Sequence, residues 1–136
     1  MSNESTTTHY LNTDLDLNSP NVLTTLATAL ENESLQPLHV TRVQDDHWYA
    51  TFETTEMYDE PEPNIASMLD AVESLDEPLR EIWNSCVRRE FNIGYDCGSE
   101  PWAFNHGLSN QLLRRVSEAG ASLRITLYPA MYSRKT

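Results

Sequence analysis

The sequence predicts a single α+β domain, and three observations support this prediction. Segments of alternating apolar and polar residues, typical of strands, are separated by segments with apolar residues at helical spacing. The strand segments alternate cleanly, whereas strands of a doubly wound parallel sheet would be apolar on both faces. The chain has 136 residues, for which one domain is the simplest organisation. We expect this domain at residues 10–129, between a polar lead-in at 1–9 and a tail at 130–136.

The first strand and helix are predicted from residues 10–33. Alternate residues from Leu11 to Leu17 are apolar or Thr, which indicates a strand with one buried side. Ser19 and Pro20 then supply a helix cap and a proline at the first helical position. The next apolar residues recur at helical spacing and predict a helix over 20–33: Val22, Leu23, Leu26, Ala27 and Leu30.

A β-hairpin follows this helix. The runs PLHVTRV and HWYATFET alternate and are joined by the short polar segment QDD, the pattern of two antiparallel strands. One face of the first run carries Leu38, Val40 and Arg42, and one face of the second carries Trp48, Ala50 and Phe52. We therefore expect Trp48 to be largely buried.

Two helical segments are predicted between residues 64 and 86. Asn64 is a suitable N-cap, and the residues after it form an apolar stripe: Ile65, Met68, Leu69, Val72 and Leu75. Asp76 and Pro78 then restart a short helix. Its inward face carries Leu79, Ile82 and Trp83, so we expect Trp83 to be largely buried.

The last third is predicted as strand, loop, helix and strand. The strand at 87–95 has Val87, Phe91, Ile93 and Tyr95 on one side. Arg89 shares that side, and its aliphatic stem can lie along the sheet edge. Ser109 caps a helix that Gly120 ends, with an apolar stripe of Leu108, Leu112, Leu113 and Val116. The final strand, ASLRITLYP, has Ala121, Leu123, Ile125 and Leu127 on one face.

The predicted order of elements is β-α-β-β-α-β-α-β. The first six elements are those of a ferredoxin-like split βαβ sheet, in which helices cover one face of antiparallel strands. The last helix and strand would then extend this layer.

The segments FNIGYDCG and GLSNQLLRRVSEAGASLRITLYP resemble the C-terminal half of a bacterial family known only as a domain of unknown function. In that family a strand, a polar turn and a leucine-rich helix lead through Gly-Ala-Ser to a last strand that ends in Tyr. The resemblance covers roughly the last 45 residues and leaves out the segment EPWAFN. It implies the same α+β core and carries over no catalytic residue.

The charge is negative and unevenly spread. The net charge is −12. Residues 1–52 have seven acids against one Arg, residues 53–81 have ten acids against one Arg, and residues 82–136 have four acids against seven bases. This balance disfavours phosphate-mediated binding of nucleic acid and binding to anionic membranes. It favours a basic protein partner or, more simply, solubility.

The two cysteines are expected to be free thiols. A straight strand between Cys86 and Cys97, rising ~3.3 Å per residue, would hold them on the order of 30 Å apart, whereas a disulfide needs Cα atoms about 5–6 Å apart. Free thiols agree with a reducing compartment. Because the sequence also has no apolar run near ~20 residues and its first residues lack signal-peptide features, we expect a cytoplasmic protein.

The loop after the strand at 87–95 is the first candidate site. Asp96 and Gly98 are residues that a turn requires, whereas Cys97, Glu100 and His106 are not. A Cys–His pair with an acid could activate a thiolate, but the sequence carries no evidence for this geometry and lacks the G-x-S-x-G signature. We predict no catalytic residue, and a ligand-binding loop through Asp96, Cys97, Glu100, Trp102 and His106.

The acidic segment ETTEMYDEPEPN is the second candidate. It is either a solvated connector stiffened by its prolines or a contact surface with apolar anchors among carboxylates. As a partner-binding surface it would use Glu56, Met57, Tyr58, Asp59, Glu60 and Glu62.

The sheet face away from the helices is the third candidate. It is expected to carry Tyr10, Asn12, Asp14, His39, Thr41, Tyr49, Thr51, Glu53, Asn92, Arg124 and Thr126. Such a face can bind a small ligand or a protein, or can simply face water.

The sequence leaves two classes of function open. It has no metal-binding motif of the C-x-x-C or H-x-x-x-H kind and no glycine-rich phosphate loop, so we predict no metal and no cofactor. The preferred interpretation is a small acidic binding or inhibitory protein, comparable to an immunity protein, with a basic protein partner. The alternative is a small enzyme or ligand-binding protein that uses the 96–106 loop and the open sheet face. The oligomeric state is not predicted.

Overall fold

A computed structural model describes residues 7–43 and 46–129, and in these the chain forms one five-stranded sheet with four helices. The elements are β1 (His9–Ser19), α1 (Thr24–Glu31), β2 (Leu35–Arg42), β3 (Trp48–Thr54), α2 (Pro61–Glu73), α3 (Glu77–Ser85), β4 (Arg88–Asp96), α4 (Asn110–Glu118) and β5 (Ser122–Tyr128). The α+β class is confirmed. Of the expected lead-in and tail, residues 1–6 and 130–136 lie outside the described part of the chain.

The strands are arranged in the order β2-β3-β1-β4-β5. The hairpin β2–β3 is antiparallel as predicted, and β1 pairs antiparallel with both β3 and β4. The pair β4–β5 is parallel, which makes the sheet mixed. This five-stranded order is not the four-stranded antiparallel ferredoxin order. The short helix predicted after Asp76 is the separate helix α3, which the order β-α-β-β-α-β-α-β counts together with α2.

The core lies between the helices and one face of the sheet. The predicted alternation places the expected side chains there, among them Leu15, Phe52 and Phe91, each with no exposed surface. Trp83 is also fully buried, as predicted, and its Nε1 donates a hydrogen bond to the Ala119 carbonyl at 2.8 Å. Trp48 is partly buried and packs against the same core, so it is more exposed than Trp83.

A β-bulge near the start of β1 reverses the predicted facing of its first residues. The register with β4 shifts between Tyr10 and Asn12, so Tyr10 is buried on the helix side while Leu11 is exposed. The Tyr10 hydroxyl lies 2.6 Å from Thr13 Oγ1 and accepts from Asn64 Nδ2 at 2.8 Å. An extra residue in one strand changes which side each later side chain faces. A simple alternation of apolar and polar residues does not predict such a bulge.

The first helix begins later than predicted. Ser19 is buried at the end of β1, opposite Trp48, and its hydroxyl accepts a hydrogen bond from Asn21 N–H at 2.9 Å. The chain then needs several residues to leave the sheet, so α1 starts at Thr24 and not at residue 20. Val22, expected in the apolar stripe, is consequently exposed.

The second helix begins earlier than predicted. It starts at Pro61 with Glu60 in the cap position, and both Pro61 and Pro63 fit the first turn, where their missing N–H groups are not needed. Asn64 is therefore inside the helix and is not its cap. It is buried, and it accepts from Thr54 Oγ1 at 3.2 Å while donating to Tyr10.

The residues predicted to begin or end the other helices are confirmed in these positions. Asp76 accepts a hydrogen bond from Leu79 N–H at 3.2 Å, and Ser109 accepts one from Leu112 N–H at 3.1 Å. Gly120 follows α4 with φ 73°, a left-handed conformation that suits glycine. Cys86 and Cys97 are both free, as predicted.

The outer part of the sheet is less covered than predicted. Ile125 and Leu127 of β5 are each 64% exposed, although they lie on the helix side of the sheet. Val87 and Leu113 are exposed as well. Because β5 is the edge strand, the helices leave much of its apolar face uncovered. No helix in the described residues is long and apolar enough to cross a membrane.

Candidate functional sites

The structure separates the five residues predicted for the 96–106 loop. Asp96 is buried at the end of β4, with Oδ2 3.7 Å from His9 Nε2, and Cys97 is half-buried beside it. Glu100 is exposed, and its carbonyl accepts from Thr8 N–H at 2.7 Å. Trp102 is 99% exposed. His106 alone packs into a cluster of rings.

This aromatic cluster comprises Tyr10, Tyr95, Phe104 and His106. The His106 ring centroid lies 4.8 Å from that of Phe104 and 5.6 Å from that of Tyr95. Its Nδ1 is 3.1 Å from the Tyr95 hydroxyl. Burial raises the pKa of Tyr95 above its ordinary value, so this hydroxyl is neutral near pH 7. These contacts of the His106 imidazole hold the 96–106 loop against the sheet.

An aromatic cleft of about 300 Å³ opens beside this cluster. Its lining residues are Thr8, Tyr95, Cys97, Phe104, His106, Ile125 and Leu127. Cys97 and His106 therefore share a cleft, and none of its lining residues in the described part of the chain carries a carboxylate. Asp96 belongs to the opposite sheet face, because neighbouring strand residues alternate in direction. The complete combination of thiol, imidazole and acid is therefore not assembled among these lining residues.

The acidic segment is divided between a surface role and a structural role. Met57 is 94% exposed, and Glu56, Asp59 and Glu60 are exposed around it. Tyr58 is half-buried and donates its hydroxyl to Glu56 at 2.9 Å.

Glu62 joins the first turn of α2 to the start of α4. Its two carboxylate oxygens accept from Ser109 N–H at 2.6 Å and from the Ser109 hydroxyl at 2.7 Å. These hydrogen bonds hold the pKa of Glu62 below its ordinary value. This carboxylate is therefore occupied within the fold.

Replacing Glu62 by Ala is expected to lower the free energy of unfolding by about 1 kcal/mol at pH 7, since two charge-assisted hydrogen bonds at a partly exposed site are lost. The folded-state pKa is depressed, so this contribution is present above the unfolded pKa and disappears as the pH falls through the folded value. Urea unfolding at pH 7 and at pH 3 measures the difference. The same substitution at exposed Glu60 is the control, and an equal loss at both positions would contradict the assignment.

The exposed part of the acidic segment borders a second cleft, of about 350 Å³. We name it the acidic cleft; it is lined by Leu11, Asn12, Thr13, Gln36, Glu53, Thr54, Thr55, Glu56, Met57, Tyr58 and Asn64. The lining comes from β1, β2, β3, the following loop and α2. Two surfaces that the sequence suggested separately, the acidic segment and the open sheet face, therefore meet in one depression.

A network of polar side chains continues from the cleft across the open sheet face. Asn12 Nδ2 donates to Asp14 at 3.0 Å and to Glu53 at 3.3 Å. The Thr51 hydroxyl donates to Asp16 at 3.0 Å. Farther along the sheet, Arg124 Nε donates to Glu90 at 2.8 Å, and Thr126 donates to Asn92 at 2.7 Å. The prediction of the open face is thus confirmed for Asn12, Asp14, Thr51, Glu53, Asn92, Arg124 and Thr126. It is wrong for Tyr10, which lies on the helix side.

Asp14 is the most perturbed carboxyl of this network. Burial, followed by repulsion from Asp16 and Glu53, raises its pKa from 3.8 to about 6. The hydrogen bond from Asn12 and the nearby His39 lower the pKa but do not offset these effects. A cation placed among these groups would relieve the repulsion.

Replacing Asp14 by Asn is expected to raise the free energy of unfolding at pH 7 by about 1 kcal/mol, a value reduced for the screening that solvent provides at this half-buried side chain. Because the folded-state pKa is raised, wild-type stability falls as the pH rises through the window from 3.8 to about 6. The free energy of unfolding of the variant should not decrease over this window. At pH 4 it should differ little from that of the wild type. Chemical unfolding at pH 4 and pH 7, with exposed Asp59→Asn as control, tests this. A pH-independent difference would refute the assignment.

Sequence reasoning missed the position of Asp14 relative to Glu53 and the contribution of Asn64. Alternation placed Asp14 and Glu53 on one face, but their proximity depends on the β1–β3 register, in which Leu15 pairs with Phe52. Alternation alone does not predict such a register. Asn64 is buried by the early start of α2.

The comparisons with known proteins do not assign either cleft. No protein-family model, no curated protein and no solved structure matches the chain. Within residues 7–43 and 46–129, no group of three or more His, Cys, Asp or Glu side chains is arranged to hold a metal ion.

Proposed function

We propose that the protein is a non-enzymatic, cytoplasmic binding or inhibitory protein, comparable in role to an immunity protein, that captures a basic segment of a partner protein in its acidic cleft. A Lys or Arg side chain of the partner would enter between Glu53 and Glu56. Its aliphatic stem would lie along Met57.

The observation that carries this proposal is the position of Met57 at the acidic cleft. A thioether that is 94% exposed at the wall of a cleft offers a flexible apolar contact. Glu53 and Glu56 line the same cleft and supply the opposite charge for a cationic head. Lys and Arg combine an apolar stem with a charged head, so they match both parts of the lining.

The electrostatics of the neighbouring network support the same class of ligand. Burial raises the pKa of Asp14 most, and repulsion from the carboxylates of Asp16 and Glu53 raises it further. A bound ammonium or guanidinium would stabilise the charged form. The affinity for a basic ligand should therefore decrease as the pH falls through about 6, where Asp14 takes up a proton.

Fluorescence anisotropy with a labelled peptide of alternating Lys and Ser tests this proposal. The triple variant Glu53→Gln, Glu56→Gln, Met57→Ala removes two cleft charges and the apolar contact while keeping the acceptor for Asn12. We expect its affinity to be lower by at least about 10-fold, which corresponds to about 1.4 kcal/mol. Raising NaCl from about 50 to about 300 mM should weaken wild-type binding further by screening.

The matched control is Glu81→Gln, Glu118→Gln, Val87→Ala, which removes the same number of charges and an exposed apolar side chain outside the cleft lining. It should bind the peptide within about 2-fold of wild type. Equal weakening in both triple variants would show a diffuse attraction by net charge and would remove the acidic cleft from the function.

A second candidate function, binding of a small aromatic or apolar ligand, is favoured by the aromatic cleft. Phe104 and His106 line it together with the exposed Ile125 and Leu127. Enhanced fluorescence of anilinonaphthalene sulfonate with the wild type, and its loss in Phe104→Ala, would favour this candidate. Unchanged fluorescence in the variant would show that the ligand does not bind in this cleft.

The first four strands and two of the helices suggest a more specific fold than the α+β class. We propose that β1 to β4 with α1 and α2 form a ferredoxin-like split βαβ unit to which α3, α4 and β5 are added. The central position of β1 between β3 and β4 supports it. A solved relative with this unit and no equivalent of β5 would test it.

A further inference from the structure

The two edges of the described sheet differ in how they are protected. β2 forms one edge and carries Pro37, with an irregular register to β3 between Pro37 and His39. Proline and register irregularities prevent an edge from pairing with another strand. β5 forms the other edge, and its pairing with β4 is regular over all seven residues, none of them proline.

Among the described residues, the backbone groups of β5 that face away from β4 belong to its apolar residues. The Tyr128 carbonyl accepts from Cys97 N–H at 3.0 Å, so Tyr128 directs its backbone groups toward the β4 side. Backbone groups alternate in direction along a strand. Leu123, Ile125 and Leu127 therefore direct their N–H and C=O groups outward, away from the sheet.

The same three side chains lie on the helix side of the sheet. Ile125 and Leu127 are each 64% exposed, and Leu123 is half-buried. An unprotected edge with an exposed apolar face is a strand-pairing surface.

We propose that β5 pairs antiparallel with β5 of a second copy of this chain, about a twofold axis at Ile125. This register places Ile125 opposite Ile125 of the second copy, and Leu123 opposite its Leu127. In each of these pairs both residues direct their backbone groups toward the other strand, which is the arrangement of hydrogen-bonded antiparallel pairs. The helix-side face of the junction is then apolar throughout.

The polar face of β5 also suits a second copy. Arg124 lies opposite Thr126 of the other strand, and Ser122 lies opposite its Tyr128, so no like charges face each other directly. Glu90 also binds the Arg124 guanidinium, at 2.8 Å. Any partner strand could use the free backbone groups, but the sequence SLRITLY is complementary to itself when reversed about its central residue.

The distribution of charge favours the same occupant. Residues 82–136, which include β4, α4 and β5, have seven bases against four acids, whereas the preceding residues hold the other seventeen acids. Two copies of a chain of net charge −12 therefore meet through its least acidic segment. The acidic cleft is lined by β1, β2, β3, the loop after β3 and α2, none of which includes β5, so this inference does not depend on the proposed function.

Sedimentation velocity of the full chain over about 1–100 µM tests the pairing, since a weak dimer dissociates within that range. The monomer mass is 15.5 kDa, and we expect a concentration-dependent shift toward twice that mass. Ile125→Lys places two ammonium groups together on the axis and should remain a monomer. Leu38→Lys, which adds the same charge at an exposed position of the β2 edge, should behave as wild type.

Amide hydrogen exchange on the wild type provides a test that needs no variant. The Ile125 and Leu127 amides should exchange more slowly at high than at low protein concentration, while the amide of His39, an exposed residue on β2, should not change. A wild-type chain that is monomeric throughout the range, or an Ile125→Lys variant that still dimerises, would overturn the proposal. Concentration-independent exchange at Ile125 would do the same.

Discussion

Replacing Trp83 by Ala is expected to lower the free energy of unfolding by about 3–5 kcal/mol, the usual cost of removing a large buried aromatic ring. Trp83 has no exposed surface and belongs to the single buried core. Its Nε1 donates to the Ala119 carbonyl at 2.8 Å, which ties α3 to the end of α4. The substitution leaves a cavity and also removes the partner of that carbonyl, so the two costs add in the same direction.

Urea unfolding followed by far-ultraviolet circular dichroism measures this loss. Trp102→Ala is the matched control, because Trp102 is 99% exposed and its removal should change stability by less than about 0.5 kcal/mol. The ratio of the two effects is independent of the absolute stability of the protein. If Trp102→Ala were as costly as Trp83→Ala, the packing of the helices on the sheet would be wrong.

Replacing Arg89 by Met is expected to cost about 2–4 kcal/mol, because the Met side chain keeps much of the apolar stem and removes the charged donor of several hydrogen bonds. The guanidinium donates to four backbone carbonyls, those of Trp83, Asn84, Cys86 and Gly120, at 2.7 to 3.1 Å. Three of these carbonyls lie at the end of α3 and the fourth follows α4. Arg89 therefore stabilises the points at which two helices end.

The control for this prediction is Arg88→Met, which removes the same charge from the exposed neighbouring position of β4. Arg89→Lys should recover only part of the loss, because an ammonium cannot reach carbonyls in several directions as a guanidinium does. Thermal and urea unfolding of the three variants separates the hydrogen-bonding contribution from the charge. Full recovery by Lys would show that charge alone matters at this position.

The sequence by itself determined the features that depend on neighbouring residues. Asp76, Ser109 and Gly120 act at the ends of helices as predicted, because a cap requires only a few consecutive residues. The alternation in β3 and β4 predicted the buried Phe52 and Phe91, since one covered sheet face imposes a period of two. The exposed Met57 and Glu56 were also identified as surface candidates, because prolines and charges prevent their segment from joining the sheet.

The tertiary structure decided the features that depend on contacts between distant residues. The bulge at Leu11 turned Tyr10 toward Asn64, and the β1–β3 register brought Asp14 beside Glu53 at the acidic cleft. Periodicity likewise predicted that Ile125 and Leu127 share one face, but only the position of β5 at the sheet edge left that face exposed. A strand's pattern specifies which side chains share a face, whereas what covers that face is set by the strand's neighbours in the sheet and by the helices that reach it.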